Sequence, residues 1–285
     1  MNVKIIADST CDLSPELIEK YDIHILPLHI LLDDKEYEDG ATITPDELYA
    51  WADEHRTTPK TSAVSIQTAI DVFDMYLKAG RDMVCFTISS QMSGTANVLR
   101  LAVQQLNEAD RVHIVDSGSL STGIGLQVIE AAILAEAGKT ASEIVTEVEA
   151  LRPLVRASFV VDTLTYLHRG GRCSGIAALA GTALKLHPQI GVVDGRMMPG
   201  KKYRGPINRV VMNYVKDMEE NMKSARPDRV FITHSGCQDS IIRDVYDYLQ
   251  NLGHFSEILI TRAGCVVSSH CGPRTLGVLY IDQNA

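Results

Sequence analysis

"SSQMSGTANVLRLA" (89–102) links an apolar run to an amphipathic one. Before it lies "MVCFTI" (83–88), which has the composition of a buried strand. After it, apolar residues recur at helical spacing, which predicts a helix that follows Gly94. A strand that passes through a turn into a helix is the repeating unit of an α/β sheet. The turn itself is crowded with the hydroxyls of Ser89, Ser90, Ser93 and Thr95.

The first half of the chain repeats this alternation of strands and helices. Strand-like runs occur at "VKIIAD" (3–8), "HILPLHILL" (24–32) and "VHIVDS" (112–117). Helices are predicted between the runs, and the segments at Thr44 and Thr140 have the sequence of a capping box. Strands separated by helices favour a parallel sheet with right-handed crossovers.

The second half has a different pattern. "QIGVVDGRMMPG" (189–200) predicts a β-hairpin, because Asp-Gly at 194–195 is a favoured two-residue turn. The predicted fold class is therefore α/β with two domains. These are an N-terminal Rossmann-like parallel sheet domain, residues 1–155, and a C-terminal mixed-sheet α/β domain, residues 156–285. Three further runs predict strands of the second domain: "RVFITH" (229–234), "SEILITRAG" (256–264) and "TLGVLYID" (275–282).

Composition narrows the classes of partner. The formal net charge is −9 and the basic tract "GKKYR" (200–204) is short, so nucleic acid is not expected as a partner. No apolar run has the length of a transmembrane helix, and the N-terminus shows no signal-peptide pattern. We therefore expect a cytoplasmic protein without a transmembrane segment.

The cysteines predict buried thiols and no metal site. The chain has six of them, and none forms a C-x-x-C pair. Cys265, His270 and Cys271 are close in sequence, but three ligands without a fourth make a weak case for structural zinc.

Four hydroxyl-rich segments of the first half are predicted to lie at one edge of the parallel sheet. Because ligands of such sheets bind beyond the carboxyl ends of the strands, these segments predict a pocket. Their hydroxyl donors and helix N-termini suit a small anion, either a carboxylate or a phosphate. Helix capping alone is the alternative explanation for each segment taken singly. The segments are "DSTCD" (8–12), "TSAVS" (61–65), "SSQMSGT" (89–95) and "DSGSLSTG" (116–123).

Two enzymatic functions are alternatives. The phosphate-binding motif G-x-x-x-x-G-K-[ST] is absent, and "GIGLQV" (123–128) has only two of the three glycines of a dinucleotide fingerprint. A serine hydrolase acting through Ser93 is the second alternative, although G-x-S-x-G is absent.

The second half adds "YLHRGGRCSG" (166–175), whose arginines suit an anionic partner, and "SSHCGPRTLG" (268–277), which contains His270.

Several of these segments together resemble the DegV family of fatty-acid-binding proteins. The resemblance runs nearly from end to end, with the motifs in the family's order. It implies two α/β domains, with the acyl chain buried mainly by the second, and a bound fatty acid such as a C16–C18 chain without any other cofactor. The segments that carry it are "IIADSTCDLSPEL", "DGATITPDELY", "TSAVSIQTA", "SSQMSGTANVLRLA", "VDSGSLSTGIG", "VDTLTYLHRGGRCSGIAALAGTALKLHPQI" and "HCGPRTLGVLY".

The resemblance also implies a site and a partner. The fatty-acid carboxylate would be bound by Thr61, Ser62, Ser93, Gly94 and His270. In the family, the binding protein is not itself an enzyme. It presents the carboxylate to a separate fatty acid kinase, which forms acyl-phosphate from ATP for phospholipid metabolism. A regulatory protein with a structural lipid is a further alternative.

Three arginines, Arg169, Arg172 and Arg204, would face the kinase on this resemblance. The sequence departs from the family pattern at Ala63-Val64, where Gln-Pro is common, at Cys173, where an aliphatic residue is common, and at Arg274, where glycine is common. The segment "GIAALAGTALKL" (175–186) is expected to be a core helix or to pack around an acyl chain.

Overall fold

The structure is a computed structural model that describes residues 2–173 and 186–283. The segment expected to form a core helix or to enclose an acyl chain, 175–186, lies outside the described residues except for Leu186. The described strands are β1 Val3–Asp8, β2 Ile23–Leu26, β3 His29–Leu32, β4 Lys35–Glu38, β5 Lys60–Ser62, β6 Asp82–Thr87, β7 Val112–Asp116, β8 Val155–Val160, β9 Leu186–Val193, β10 Arg196–Arg204, β11 Ala225–His234, β12 Glu257–Arg262 and β13 Leu276–Asp282.

The strands form three sheets. Four of them make a fully parallel sheet in the order β2-β1-β6-β7, in which Ile5 lies opposite both Ile23 and Val84. Six later strands form a mixed sheet in the order β10-β9-β8-β13-β11-β12, where β11 and β12 are parallel and the other neighbours antiparallel. Strands β4-β3-β5 form a small antiparallel sheet. The predicted α/β class, with one parallel and one mixed sheet, is confirmed.

Helices connect the strands and begin where the sequence supplies caps. Thr44 accepts a hydrogen bond from the backbone of Glu47, and the Glu47 carboxylate accepts one in return, as Thr140 and Glu143 also do. The described α-helices are Pro15–Lys20, Pro45–His55, Ile66–Lys78, Thr95–Leu106, Thr122–Glu136, Ala141–Leu151, Thr165–Gly170, Ile207–Asp217, Glu219–Lys223, Asp239–Leu252 and Cys265–Cys271, and short 3-10 turns lie at Ser9–Cys11 and Arg152–Leu154.

The helix Thr122–Glu136 lies between the parallel and the mixed sheet. It contacts β1 and β6 of the first and β8 and β13 of the second, and every residue from Thr122 to Ile129 is buried, whereas Ile133 and Glu136 in its last turn are exposed. At Gly123 a Cβ atom would lie 2.2 Å from the Ser119 hydroxyl and 3.2 Å from the Ala157 methyl group. Only glycine therefore allows this approach to the mixed sheet.

The apolar run 24–32 forms two strands that belong to different sheets. Strand β2 joins the parallel sheet, and β3 joins the small antiparallel one. Pro27 lies between them; because proline has no N–H group and a fixed φ, it interrupts sheet pairing there.

The helix Cys265–Cys271 belongs to the second half of the sequence but packs on the first. Cys265 and Val266 share a core with Ile30, Leu48 and Phe73. A segment of the predicted second domain therefore packs in a core formed by the predicted first domain. The boundary at 155/156 stays a prediction.

Candidate functional site

A cavity of about 460 Å³ lies beneath the loop that follows β6, against the mixed sheet and the helix Cys265–Cys271. Its lining surface is mostly apolar, and the buried apolar side chains come from both halves of the chain. They include Met92, Leu120, Phe159, Met197, Val266 and Leu279. A cavity built in this way suits an elongated apolar ligand.

The predicted site residues all meet at this cavity. Thr61, Ser62, Ser93, Gly94 and His270 line it. Gly94 is exposed, and Thr61, Ser62, Ser93 and His270 are partly exposed, so this part of the lining opens to the surface. The cavity therefore combines an apolar interior with a polar, accessible mouth.

Three different elements bring these residues together. Strand β5 carries Thr61 and Ser62, and Thr61 is paired in register with Ile30. The last turn of the helix Cys265–Cys271 carries His270. Thr61 Oγ1 and His270 Nε2 are hydrogen-bonded at 3.1 Å, although 209 residues separate them in sequence.

Ser93 and Gly94 lie where the loop after β6 becomes the helix Thr95–Leu106. Gly94 is the N-cap residue, and no side-chain cap satisfies this helix end. The Ser93 hydroxyl is 2.9 Å from the Thr95 hydroxyl and accepts a hydrogen bond from the Thr95 N–H at 3.3 Å. The turn therefore holds Ser93 beside a helix N-terminus, where an anion is favoured.

His270 is neutral at physiological pH. Removal of most of the ring from water and, to a smaller extent, the positive charge of Arg172 together lower the pKa of His270 to about 4. Its Nδ1 atom is buried and has no hydrogen-bond partner among the described residues. A Cβ atom at Gly170 would lie 2.4 Å from that nitrogen, so the "RGGR" segment (169–172) packs directly on the ring.

The arginines predicted to face a partner separate into two kinds. Arg172 is exposed, lines the cavity and donates a hydrogen bond to the Gly170 carbonyl at 2.7 Å. Arg169 and Arg204 are exposed as well but do not line the cavity; Arg169 donates to the Arg56 carbonyl at 3.4 Å. One of the three is thus part of the cavity mouth.

The two departures from the family pattern in the second half have structural roles. Arg274, at a φ of 59°, forms an ion pair with Asp162, to which its Nε donates at 2.8 Å. Cys173 is buried and forms a β-bridge with Met197, and burial raises the pKa of its thiol to about 11.

The pocket predicted from four hydroxyl-rich segments is built by three of them. The segments 61–65, 89–95 and 116–123 each contribute to the lining, although Thr61 and Ser62 come from the small antiparallel sheet rather than from the parallel one. The segment "DSTCD" (8–12) does not line the cavity, and that prediction was wrong. Its two carboxylates instead accept hydrogen bonds from buried N–H and O–H groups of neighbouring loops.

Sequence reasoning missed the apolar lining. Met197 alternates with exposed residues on strand β10, and Phe159 lies on strand β8 beside the fully buried Val160; neither pattern distinguishes a cavity from a solid core. Among the described residues, no group of three or more His, Cys, Asp or Glu side chains could hold a metal ion. None of the described helices combines the length and the apolar character needed to cross a membrane.

The fold and the site define a class of two-domain α/β proteins with an apolar cavity and a polar mouth. The chain belongs to the DegV family, whose model matches residues 2–283. A DegV domain-containing protein of Clostridium perfringens is 32% identical over 281 residues, 99% of each chain.

Solved structures agree with this assignment. A DegV family protein from Thermus thermophilus, described by its fatty acid binding, superimposes with a TM-score of 0.91 at 29% identity, covering 99% of this chain and 100% of that one. A stearic acid-binding protein from Eubacterium ventriosum has a TM-score of 0.85 at 29% identity, covering 99% and 98% of the two chains.

Proposed function

We propose that this protein binds a long-chain fatty acid, such as a C16–C18 chain, and presents its carboxylate to a separate ATP-dependent fatty acid kinase. The observation that carries the proposal is the cavity itself, which has a volume of about 460 Å³, a mostly apolar lining, and a mouth with hydroxyls and a neutral imidazole. The fatty acid binding of the two solved relatives supports the same ligand class.

The mouth has the chemistry that a carboxylate needs. A carboxylate removed from water is costly unless hydrogen-bond donors surround it. Thr61 and Ser93 supply two hydroxyls, and the third polar group is His270 Nε2, which is hydrogen-bonded to Thr61 while Gly170 covers Nδ1. Arg172 adds a positive charge at the opening. Ser62 and Gly94 complete the proposed site: Ser62 follows Thr61 on β5, and Gly94 follows Ser93 at the start of the helix Thr95–Leu106.

The apolar interior provides the affinity. Each buried methylene contributes about 0.8 kcal/mol, so ten of them give an upper bound of about 8 kcal/mol. The entropy lost on association reduces that figure. A short-chain acid would therefore bind far more weakly than a C16–C18 chain.

Presentation to a kinase is the second part of the proposal. A partner that phosphorylates the carboxylate must reach it, and the partly exposed mouth permits this. Arg169, Arg172 and Arg204 are exposed and suit an anionic docking surface, since the planar guanidinium binds carboxylates and phosphates at two points. Because such a kinase consumes ATP, the proposal places both proteins in the cytoplasm and assigns the chemistry to the kinase.

A serine hydrolase is less well supported by the geometry. A nucleophilic serine needs a general base within hydrogen-bond reach. Ser93 is bonded to Thr95, whereas His270 is bonded to Thr61. The described residues thus contain no Ser93–His270 hydrogen bond.

Mass spectrometry of lipid extracted from the purified protein tests the ligand. We expect a fatty acid, and we expect that added fatty acid raises the thermal stability of stripped protein. Ser93→Ala should keep the fold and weaken binding by about 1–3 kcal/mol, because a buried carboxylate oxygen loses a donor. An extract free of acyl lipid, together with no thermal shift, would reject the proposal.

A kinase assay tests the presenting role. Acyl-phosphate should form only when the kinase, ATP and the loaded protein are combined, and Arg172→Ala should reduce its formation. A loaded protein that no kinase can use would favour the regulatory alternative. Ester hydrolysis by the protein alone, lost in Ser93→Ala, would favour the hydrolase.

A further inference from the structure

The position of His270 depends on the placement of a short helix. The ring has one hydrogen bond among the described residues, to Thr61, and its other nitrogen has none there. Apart from this bond and its packing against Gly170, the ring is placed by its own backbone. The backbone here is the last turn of the helix Cys265–Cys271.

The other end of that helix is held by two buried carboxylates from the first half of the chain. The Gly264 N–H donates to Asp12 Oδ1 at 2.8 Å, and the Cys265 N–H donates to Asp39 Oδ1 at 2.6 Å. Gly264 is the N-cap residue and has no side chain with which to cap the helix. Because the first N–H groups of a helix lack internal partners, Asp12 and Asp39 take over the role of the cap.

These two carboxylates are themselves fixed. Asp39 Oδ2 accepts a hydrogen bond from the Ser9 hydroxyl at 2.8 Å, and Asp12 Oδ2 is hydrogen-bonded to the Ser121 hydroxyl at 2.5 Å. Both aspartates are about 95% buried. A Cβ atom at Gly264 would lie 3.0 Å from Asp39 Oδ1, so the contact between helix and carboxylate is tight.

We propose that Asp39, with Asp12 beside it, is a positioning residue that sets the place of His270 in the cavity. It acts through the helix: at 1.5 Å per residue, the five residues from Cys265 to His270 span about 7.5 Å. If the N-terminal end of this helix moves, His270 at its other end moves with it, and the imidazole separates from Thr61. The inference rests on the proposed function, because it assigns Asp39 a role in fatty-acid binding.

Asp39→Ala in the full-length, lipid-stripped protein is the test, with oleic acid as the probe. We expect the dissociation constant measured by calorimetry to rise about tenfold. The His270 side-chain signal in a ¹H–¹⁵N spectrum, assigned by its loss in His270→Ala, should shift in the ligand-free protein. Thr140→Ala is the matched control, because it removes a helix cap that does not line the cavity. Thr140→Ala should lower the melting temperature but leave the dissociation constant and the His270 signal unchanged.

A double-mutant cycle separates positioning from general destabilisation. If Asp39 acts through His270, the variant Asp39→Ala/His270→Ala binds oleic acid no worse than His270→Ala alone. Additive losses, or an unshifted His270 signal, would overturn the proposal. Gly264→Ala serves if the Asp39→Ala variant does not fold, because its Cβ atom would lie 3.0 Å from Asp39 Oδ1 and crowd the same contact; a shifted His270 signal in it supports the role, and an unchanged one contradicts it.

A wrong carboxylate site and a wrong role for Asp39 would give different results in these experiments. If His270→Ala leaves oleic acid affinity unchanged, then the carboxylate site is wrong. The His270 signal in Asp39→Ala still decides whether the aspartate positions the ring.

Discussion

At the scale of single residues, His270 is constrained by its neighbours rather than by its own charge. It is neutral because burial and the Arg172 charge both oppose protonation. Thr61 binds one ring nitrogen, and Gly170 covers the other. The "RGGR" segment, whose arginines were predicted to face a partner, is thus also a wall of the polar mouth.

Gly170→Ala should displace the imidazole. Gly170 ends the helix Thr165–Gly170, so alanine there has no backbone penalty, but its methyl group would lie 2.4 Å from His270 Nδ1. We expect fatty-acid affinity to fall about tenfold, equivalent to about 1.4 kcal/mol. Titration calorimetry against the wild type measures it.

The adjacent glycine offers a control for Gly170→Ala. Gly171 has a φ of 65° and open space around its Cβ position. Alanine there should cost about 1 kcal/mol of stability through backbone strain while leaving affinity unchanged. If the two variants weaken binding equally, then contact with His270 is not the cause.

At the scale of elements, individual hydrogen bonds hold the hairpin β9-β10, which forms part of the cavity wall. Strand β10 lies at the edge of the mixed sheet, and its Met197 lines the cavity. The turn at its tip rests on the loop that carries Ser93: the Ser89 hydroxyl donates to the Gly195 carbonyl at 2.7 Å, and Arg196 donates twice to the Gln91 side chain.

Ser89→Ala should loosen this wall. The variant leaves the buried Gly195 carbonyl without its donor, which costs about 1–3 kcal/mol. We expect fatty acid to leave several times faster in a stopped-flow experiment, with a smaller change in the association rate. Lys201→Ala, on the same strand but outside the cavity lining, should not change the release rate. Release as slow as in the wild type would show that the hairpin tip does not control exit.

The sequence predicted the secondary-structure elements more completely than it predicted the binding site. The capping boxes at Thr44 and Thr140 and the hairpin at 194–195 are local signals, and all three form as expected. The bond between Thr61 and His270 and the anchoring of Gly264 by Asp12 join residues more than 200 positions apart. No periodicity encodes such pairings, so only the resemblance to a family could bring His270 to Thr61 before the structure did.

At the scale of the whole molecule, buried ionisable groups make stability depend on pH in two opposite ways. Burial raises the pKa of Asp12 to about 8 and that of Asp8 to about 6, and it raises the pKa of Asp39 as well. The folded state therefore binds more protons than the unfolded chain between about pH 4 and pH 8, and stability falls as the pH rises through this range. His270 has the opposite effect between about pH 4 and 6.5, since folding lowers its pKa.

Asp12→Asn isolates the first of these effects. Asparagine does not titrate and can still accept the Gly264 N–H, so its stability relative to the wild type should increase from pH 5 to pH 8, by at most about 1.4 kcal/mol per pH unit. Urea unfolding at several pH values measures the difference. A difference that does not change with pH would mean that Asp12 is already ionised in the folded protein.

The helix Thr122–Glu136 has a consequence for how the molecule comes apart. Ile129 of this helix shares one core with Ile5 and Val84 of the parallel sheet and with Phe231 and Leu279 of the mixed sheet. Neither sheet can lose its structure without exposing the apolar surface of this helix to water, so the free energies of unfolding of the two halves are coupled. Although a chain of 285 residues built on separate parallel and mixed sheets commonly melts in separate steps, this one should melt in a single cooperative transition, with equal van 't Hoff and calorimetric enthalpies.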